Sequence, residues 1–141
     1  MRSRTQLRLM VIGALALLVT ASATAAALSS VQLNLQGGYA NRRLTACTLE
    51  HHYTFFRPRT KITMDGGVSP TPAGSWQVKV KVKQCLRGRF RAIWSRHVSG
   101  RSDGTFRVTY RTSRSGYFFA RAYYYGVTPT ARSDKQYFRS R

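Results

Sequence analysis

From residue 30 onward, apolar side chains recur at every second position, in runs separated by glycine, proline and aspartate. Val31, Leu33 and Leu35 alternate with Gln32, Asn34 and Gln36, and Gly37-Gly38 ends the run. Thr45 to Phe56 is a longer stretch rich in Thr, Tyr and Phe, which Pro58 ends or pushes to a sheet edge. Lys61 to Met64 reads as a short strand closed by the turn signal Asp65-Gly66-Gly67, and Ser69 to Gly74 as a loop. Gln77 to Gln84 has the clearest alternation: Val78, Val80 and Val82 take one side, and Lys79, Lys81 and Lys83 the other. Phe90, Ala92 and Trp94 form the apolar side of the next strand. Phe106, Val108 and Tyr110 follow the Asp103-Gly104 turn signal. Tyr117 to Tyr125 carries aromatic residues on both faces, which predicts a central strand. Tyr137 and Phe138 fall in a last short strand after the loop Thr128 to Ser133.

A period of two marks half-buried strands, and no helical period competes with it. About seven strands, with turn signals every 8–15 residues or so, predict an all-β protein folded as an antiparallel sandwich or barrel.

The first 27 residues do not fit this pattern. Arg2, Arg4 and Arg8 precede the uncharged run Met10 to Val19, and Ala23-Thr24-Ala25 and Ala25-Ala26-Ala27 follow it. That order predicts a secretory signal peptide over 1–27, cut after Ala25 or Ala27. The run is short for a bilayer span, which needs about 20 apolar residues. The first cysteine is Cys47, too distant for a lipid anchor at the cleavage site, and no second apolar stretch follows. The mature chain is therefore expected outside the cell without a transmembrane segment, with N-terminal strands over 28–59 and the main β-domain over 60–141.

Export changes the reading of the cysteines. Cys47 and Cys85 are the only two, and in an oxidising compartment they are expected to pair. The closed loop would contribute about 4 kcal/mol in the chain-entropy model. Two cysteines with His51, His52 and His97 make a weak zinc set, since zinc takes four ligands, and no cofactor is implied.

Charge changes the reading of the partners. The chain holds 24 Lys and Arg against 4 Asp and Glu, a formal net charge of +20. Two Trp, 8 Tyr and 7 Phe in alternating patterns argue against a disordered basic tail. The charge points to polyanions: wall teichoic acid, anionic lipid headgroups or nucleic acid. No acidic residue occurs between Gly66 and Ser102. Within that stretch Lys79, Lys81 and Lys83 share one side of a strand, and Arg87, Arg89 and Arg91 are expected to do the same beside them, forming one flat cationic face. Counterion release would drive binding there. The competing reading is a solvated face, which mixed charges would serve better because like neighbours repel.

Aromatic residues beside cations, as at Tyr110-Arg111, Phe119-Arg121 and Tyr123 to Tyr125, suit base stacking, but a role in the core is the more common one. With Tyr117, Phe119 and Tyr123 inside, Arg121 would need Asp103 or Asp134 as a partner. The one catalytic constellation is Glu50-His51-His52. Glu50 and His52 share a strand side and suit acid–base cleavage of RNA. No phosphate-binding loop or HExxH sequence is present.

A set of turn and strand motifs adds a resemblance. Gly67-Val68-Ser69-Pro70, Gly74, the Val78/Val80/Val82 strand, the Trp94 strand and Ser102-Asp103-Gly104-Thr105-Phe106 occur in order. They lead to Gly116-Tyr117-Phe118-Phe119-Ala120-Arg121-Ala122-Tyr123, then Ser133-Asp134-Lys135 and Tyr137-Phe138-Arg139. From about Thr60 onward the chain resembles the immunoglobulin-like β-sandwich modules of secreted actinobacterial proteins. The resemblance implies a small antiparallel β-sandwich used extracellularly for binding or spacing. The Cys47/Cys85 pair and the arginine excess depart from the common pattern.

Taken together, the expectation is a secreted, monomeric, non-catalytic binding module for anionic cell-wall polymer or an acidic extracellular partner. Non-specific nucleic-acid binding would accompany it. A small ribonuclease using Glu50 and His52, and a cationic toxin or antimicrobial, are the alternatives.

Overall fold

A computed structural model describes residues 28–141, so the expected leader over 1–27 lies outside the described residues. The described residues form strands and no helix: β1 (Ser30–Gln36), β2 (Ala40–Ala46), β3 (Leu49–Phe56), β4 (Lys61–Ser69), β5 (Gln77–Leu86), β6 (Arg89–Ser99), β7 (Thr105–Arg111), β8 (Gly116–Tyr124), β9 (Ala131–Arg132) and β10 (Gln136–Ser140). Two sheets result. One has the order β1-β4-β7; the other runs β2-β3-β10-β8-β5-β6, with β9 pairing β8. All pairings are antiparallel except that of β3 with β10. The segment before Thr60 contributes β1 to the first sheet and β2 and β3 to the second.

The sheets pack face to face, as the alternation requires. Val31, Leu33, Ile62, Met64, Phe106 and Val108 of the smaller sheet meet Val78, Val80, Val82, Phe118, Ala120, Ala122 and Phe138 of the larger one. Burying one such side chain contributes about 1.5–3 kcal/mol, so this interface carries most of the fold's stability. Strand β8 lies between β10 and β5, the central place its two-sided aromatics predict.

Ten strands form among the described residues where about seven are expected, β9 falling within the expected loop Thr128 to Ser133, and three further local expectations change. Asp65-Gly66-Gly67 is not a turn, because β4 continues through it to Ser69. Gly66 is needed there for space, since a Cβ would collide with the Phe106 ring and the Gln32 carbonyl. The stretch Thr45 to Phe56 is not one strand. It folds into the hairpin β2–β3 around Cys47-Thr48, both at positive φ (54° and 69°). Neither residue is a usual choice for that conformation, so the turn carries no sequence signal. Third, Phe90, Ala92 and Trp94 do not share a side. A bulge opposite Val82/Lys83 turns Trp94 to the core, while Phe90 pairs with Cys85 on the outer surface.

Cys47 and Cys85 form the expected disulfide, with Cα atoms 5.7 Å apart. Cys85 sits near the end of β5 on the lysine side, in a strand without a bulge of its own. Strand order makes this bond informative. In the sheet, β3 is separated from β5 by β10 and β8, about 14 Å at a strand spacing of about 4.8 Å. A hairpin lying in the sheet plane could not reach. The β2–β3 tip therefore bends over the outer surface of the large sheet and is tied down on its far side.

Candidate functional site

The outer surface of the large sheet gathers its cations through strand register, since directly opposed residues share a side. Across β6, β5, β8 and β9 lies the row His97, Lys79, Tyr123 and Arg132. The next row holds Ser95, Lys81 and Arg121, and the third Ala92, Lys83, Phe119 and Tyr137. The lysines stand about 6.8 Å apart along β5, two residues of strand rise.

The six expected binding residues do not form one face. Lys79, Lys81 and Lys83 lie on the outer surface. Arg87 is in the two-residue turn Arg87-Gly88, both residues at positive φ. Arg89 and Arg91 pair with Leu86 and Gln84, and so turn to the opposite side of the sheet. A two-residue turn pairs odd with even positions, which places Phe90 and Ala92, not the arginines, beside Cys85 and Lys83.

Other cations take their place. Tyr117, Phe119, Arg121 and Tyr123 all face outward, because Phe118, Ala120, Ala122 and Tyr124 fill the core. Arg121 consequently needs no carboxylate: its Nε donates to the Ser133 carbonyl at 2.7 Å, in place of the expected Asp103 or Asp134. Cations sit over the outer rings. Lys81 Nζ is 4.8 Å from the Tyr123 ring centre, Lys135 Nζ 5.1 Å from Phe119, and the Arg139 guanidinium 4.7 Å from Tyr117. Such contacts contribute about 0.5–1 kcal/mol at exposed sites and partly offset the repulsion of the directly opposed Lys81 and Arg121. The parity of Arg121 with the tyrosines was the sequence signal for this outward arrangement.

No carboxylate balances the lysines among the described residues. Glu50 pairs with Arg43 at 2.9 Å, and Asp65 with Arg107. Asp103 accepts from the Thr105 hydroxyl (2.6 Å) and amide (2.9 Å), and these bonds hold its carboxyl below the ordinary range. Asp134 lies with Gln136 along the groove beside β1.

The β2–β3 hairpin covers one end of this surface. His51 stacks on Tyr137 with ring centres 3.8 Å apart, and Tyr53 meets Tyr117 and Tyr137 edge-on at 5.4 and 5.5 Å. Phe90 packs on Phe119 at 4.9 Å. Tyr53 is fully buried, and neither its hydroxyl nor His51 Nε2 has a hydrogen-bond partner. Burial, reinforced by the Tyr137 and Tyr117 hydroxyls, pushes the Tyr53 phenol up to about 12. Burial first, then Lys135, holds His51 below its ordinary value.

Glu50 and His52 share a strand side on the hairpin, as expected; both are exposed, and Glu50 is held by Arg43. The cysteines are joined to each other, leaving the histidines without thiolate company for a metal. Among the described residues no helix is long and apolar enough to cross a membrane. Comparison with protein-family models and with curated proteins returns no match for this chain.

Proposed function

We propose that this chain is an exported, non-catalytic binding module of immunoglobulin-like type that holds anionic polymer on the outer surface of its large sheet. The observation that carries the reading is the lysine row Lys79, Lys81 and Lys83, flanked by Arg121, Arg132 and Lys135, with each carboxylate engaged or placed elsewhere. A cationic surface without counter-charges repels itself, and an anionic chain relieves that repulsion while releasing its own counterions. The Cys47–Cys85 bond supports an oxidising compartment, where wall polymers and acidic extracellular chains are the available polyanions.

Substitution of Lys79, Lys81 and Lys83 by Gln tests the reading, because the valines on the other side of β5 stay in place. Affinity for purified teichoic acid should fall. On duplex DNA, used as a calibrating polyanion, the slope of log K against log salt should become shallower by about 2.7, three charges at about 0.9 each. Unchanged affinity and slope in a folded variant would reduce the row to a solvated surface.

A further inference from the structure

The uncovered end of the outer surface has a feature that charge alone does not require. Arg121, Tyr123 and Tyr125 follow one another at every second residue, on the same side of the chain. The Arg121 guanidinium lies 6.0 Å from the Tyr123 ring centre. The Tyr125 ring centre is 6.3 Å from that of Tyr123, with the planes 13° from parallel. Two residues of strand rise, about 6.8 Å, set this spacing. Tyr123 is half-buried and Tyr125 exposed (52 % accessible), so both rings can be reached from solvent.

Charge lies alongside at the same interval. Lys79 is directly opposite Tyr123, Lys81 opposite Arg121, and Arg132 adjoins Tyr123 on its other side. Near-parallel, accessible rings flanked by two lines of cations suit a polymer that carries flat rings on one edge and a phosphate at each repeat. From this geometry, and resting on the polyanion reading above, we infer that the open end binds single-stranded nucleic acid, with bases stacking on Tyr123 and Tyr125 and phosphates held by Lys79, Lys81 and Arg132. Duplex DNA keeps its bases stacked inside and offers this end charge only. A ring-free wall polymer would likewise use the lysines and leave the tyrosines idle.

The probes are an oligothymidylate of about a dozen nucleotides, within the range of known single-strand sites, and an abasic strand of equal length and charge. The wild type should bind the thymidylate more tightly and lose tyrosine fluorescence as bases stack. Tyr123→Ala with Tyr125→Ala should lower thymidylate affinity about 5- to 150-fold, the equivalent of 1–3 kcal/mol for one stacked base, and leave abasic binding within about twofold. Tyr123→Phe with Tyr125→Phe keeps both rings and should retain the affinity, which separates stacking from any effect of the alanines on folding. Equal binding of the two probes by the wild type would overturn the nucleic-acid inference and leave the polyanion reading standing. Loss of thymidylate affinity in the phenylalanine variant would also overturn it. Failure of both probes to bind at low salt would remove the polyanion reading as well.

Discussion

The two ends of the outer surface are built from the same kinds of residue and meet opposite fates. At one end His51 and Tyr53 of the β2–β3 hairpin lie on Tyr137, with Phe119 beside it, among Lys83, Lys135 and Arg139; Phe119 is only 5 % exposed. At the other, Tyr123 and Tyr125 stand beside Lys79, with the side chains of Lys81 and Arg121 over the half-buried Tyr123 ring and Tyr125 exposed. Aromatic residues alternating with cations along a strand thus serve as a second, small core in one place and as an accessible surface in the other. Local sequence is not what separates them. A two-stranded hairpin covers one end, and a covalent bond holds it there.

The largest effect expected from this comparison is on the disulfide. Cys47→Ser with Cys85→Ser frees a loop of sequence separation 38, which should cost about 4 kcal/mol in the chain-entropy model, read as a lower urea midpoint. The covered tyrosines should become reachable by a phenol-modifying reagent, with Tyr125 reacting as before. A midpoint and reactivity identical to wild type would show that the hairpin holds without its tie.

Next in size is a pair of alanine substitutions, one at each end. Tyr53→Ala empties a fully buried site and should cost about 3 kcal/mol, the lower end for a large aromatic because this cluster is small. Tyr125→Ala should stay within about 0.5 kcal/mol, as for other surface changes. Similar costs measured by denaturant unfolding would erase the distinction between the two ends.

The smallest effect is one of pH and belongs to the covered end alone. Burial and Lys135 hold His51 below its ordinary 6.5, so the unfolded chain takes up a proton more readily than the folded one. His51 therefore contributes stability that is complete above about pH 6.5 and is lost as pH falls through the folded value. In His51→Gln the slope of stability against pH across that window should flatten. A slope equal to wild type would assign the dependence to other groups.

Much of the fold was legible. Strict alternation in Gln77–Gln84 and in Phe106–Tyr110 identified which side of each strand is buried, because a period of two leaves one choice once the apolar set is known. The cysteine pair was legible from its number and its expected compartment. The lysine row could be read for the same reason as the valine row. The arginine half of the site could not, since its side depends on whether the β5–β6 turn has an even or odd length, and Arg87-Gly88 does not announce that as an Asn-Gly pair would. The cation–aromatic surface on β8 was also missed. In a strand apolar on both sides, alternation does not say which ring set is the inner one, and the placing of Arg121 resolved it.

By itself, then, the sequence determined the all-β character, the inner side of β1, β5 and β7, the disulfide and the excess of positive charge. These follow from local rules: side-chain alternation, residue counts and the acidity of individual groups. Tertiary structure alone decided that β10 and β8 lie between β3 and β5, that the hairpin must cross over them for Cys47 to reach Cys85, and that the crossing stops short of Tyr123. The physical reason is that burial of an outer face depends on what another part of the chain lays over it. Neither alternation nor composition carries the order of strands within a sheet.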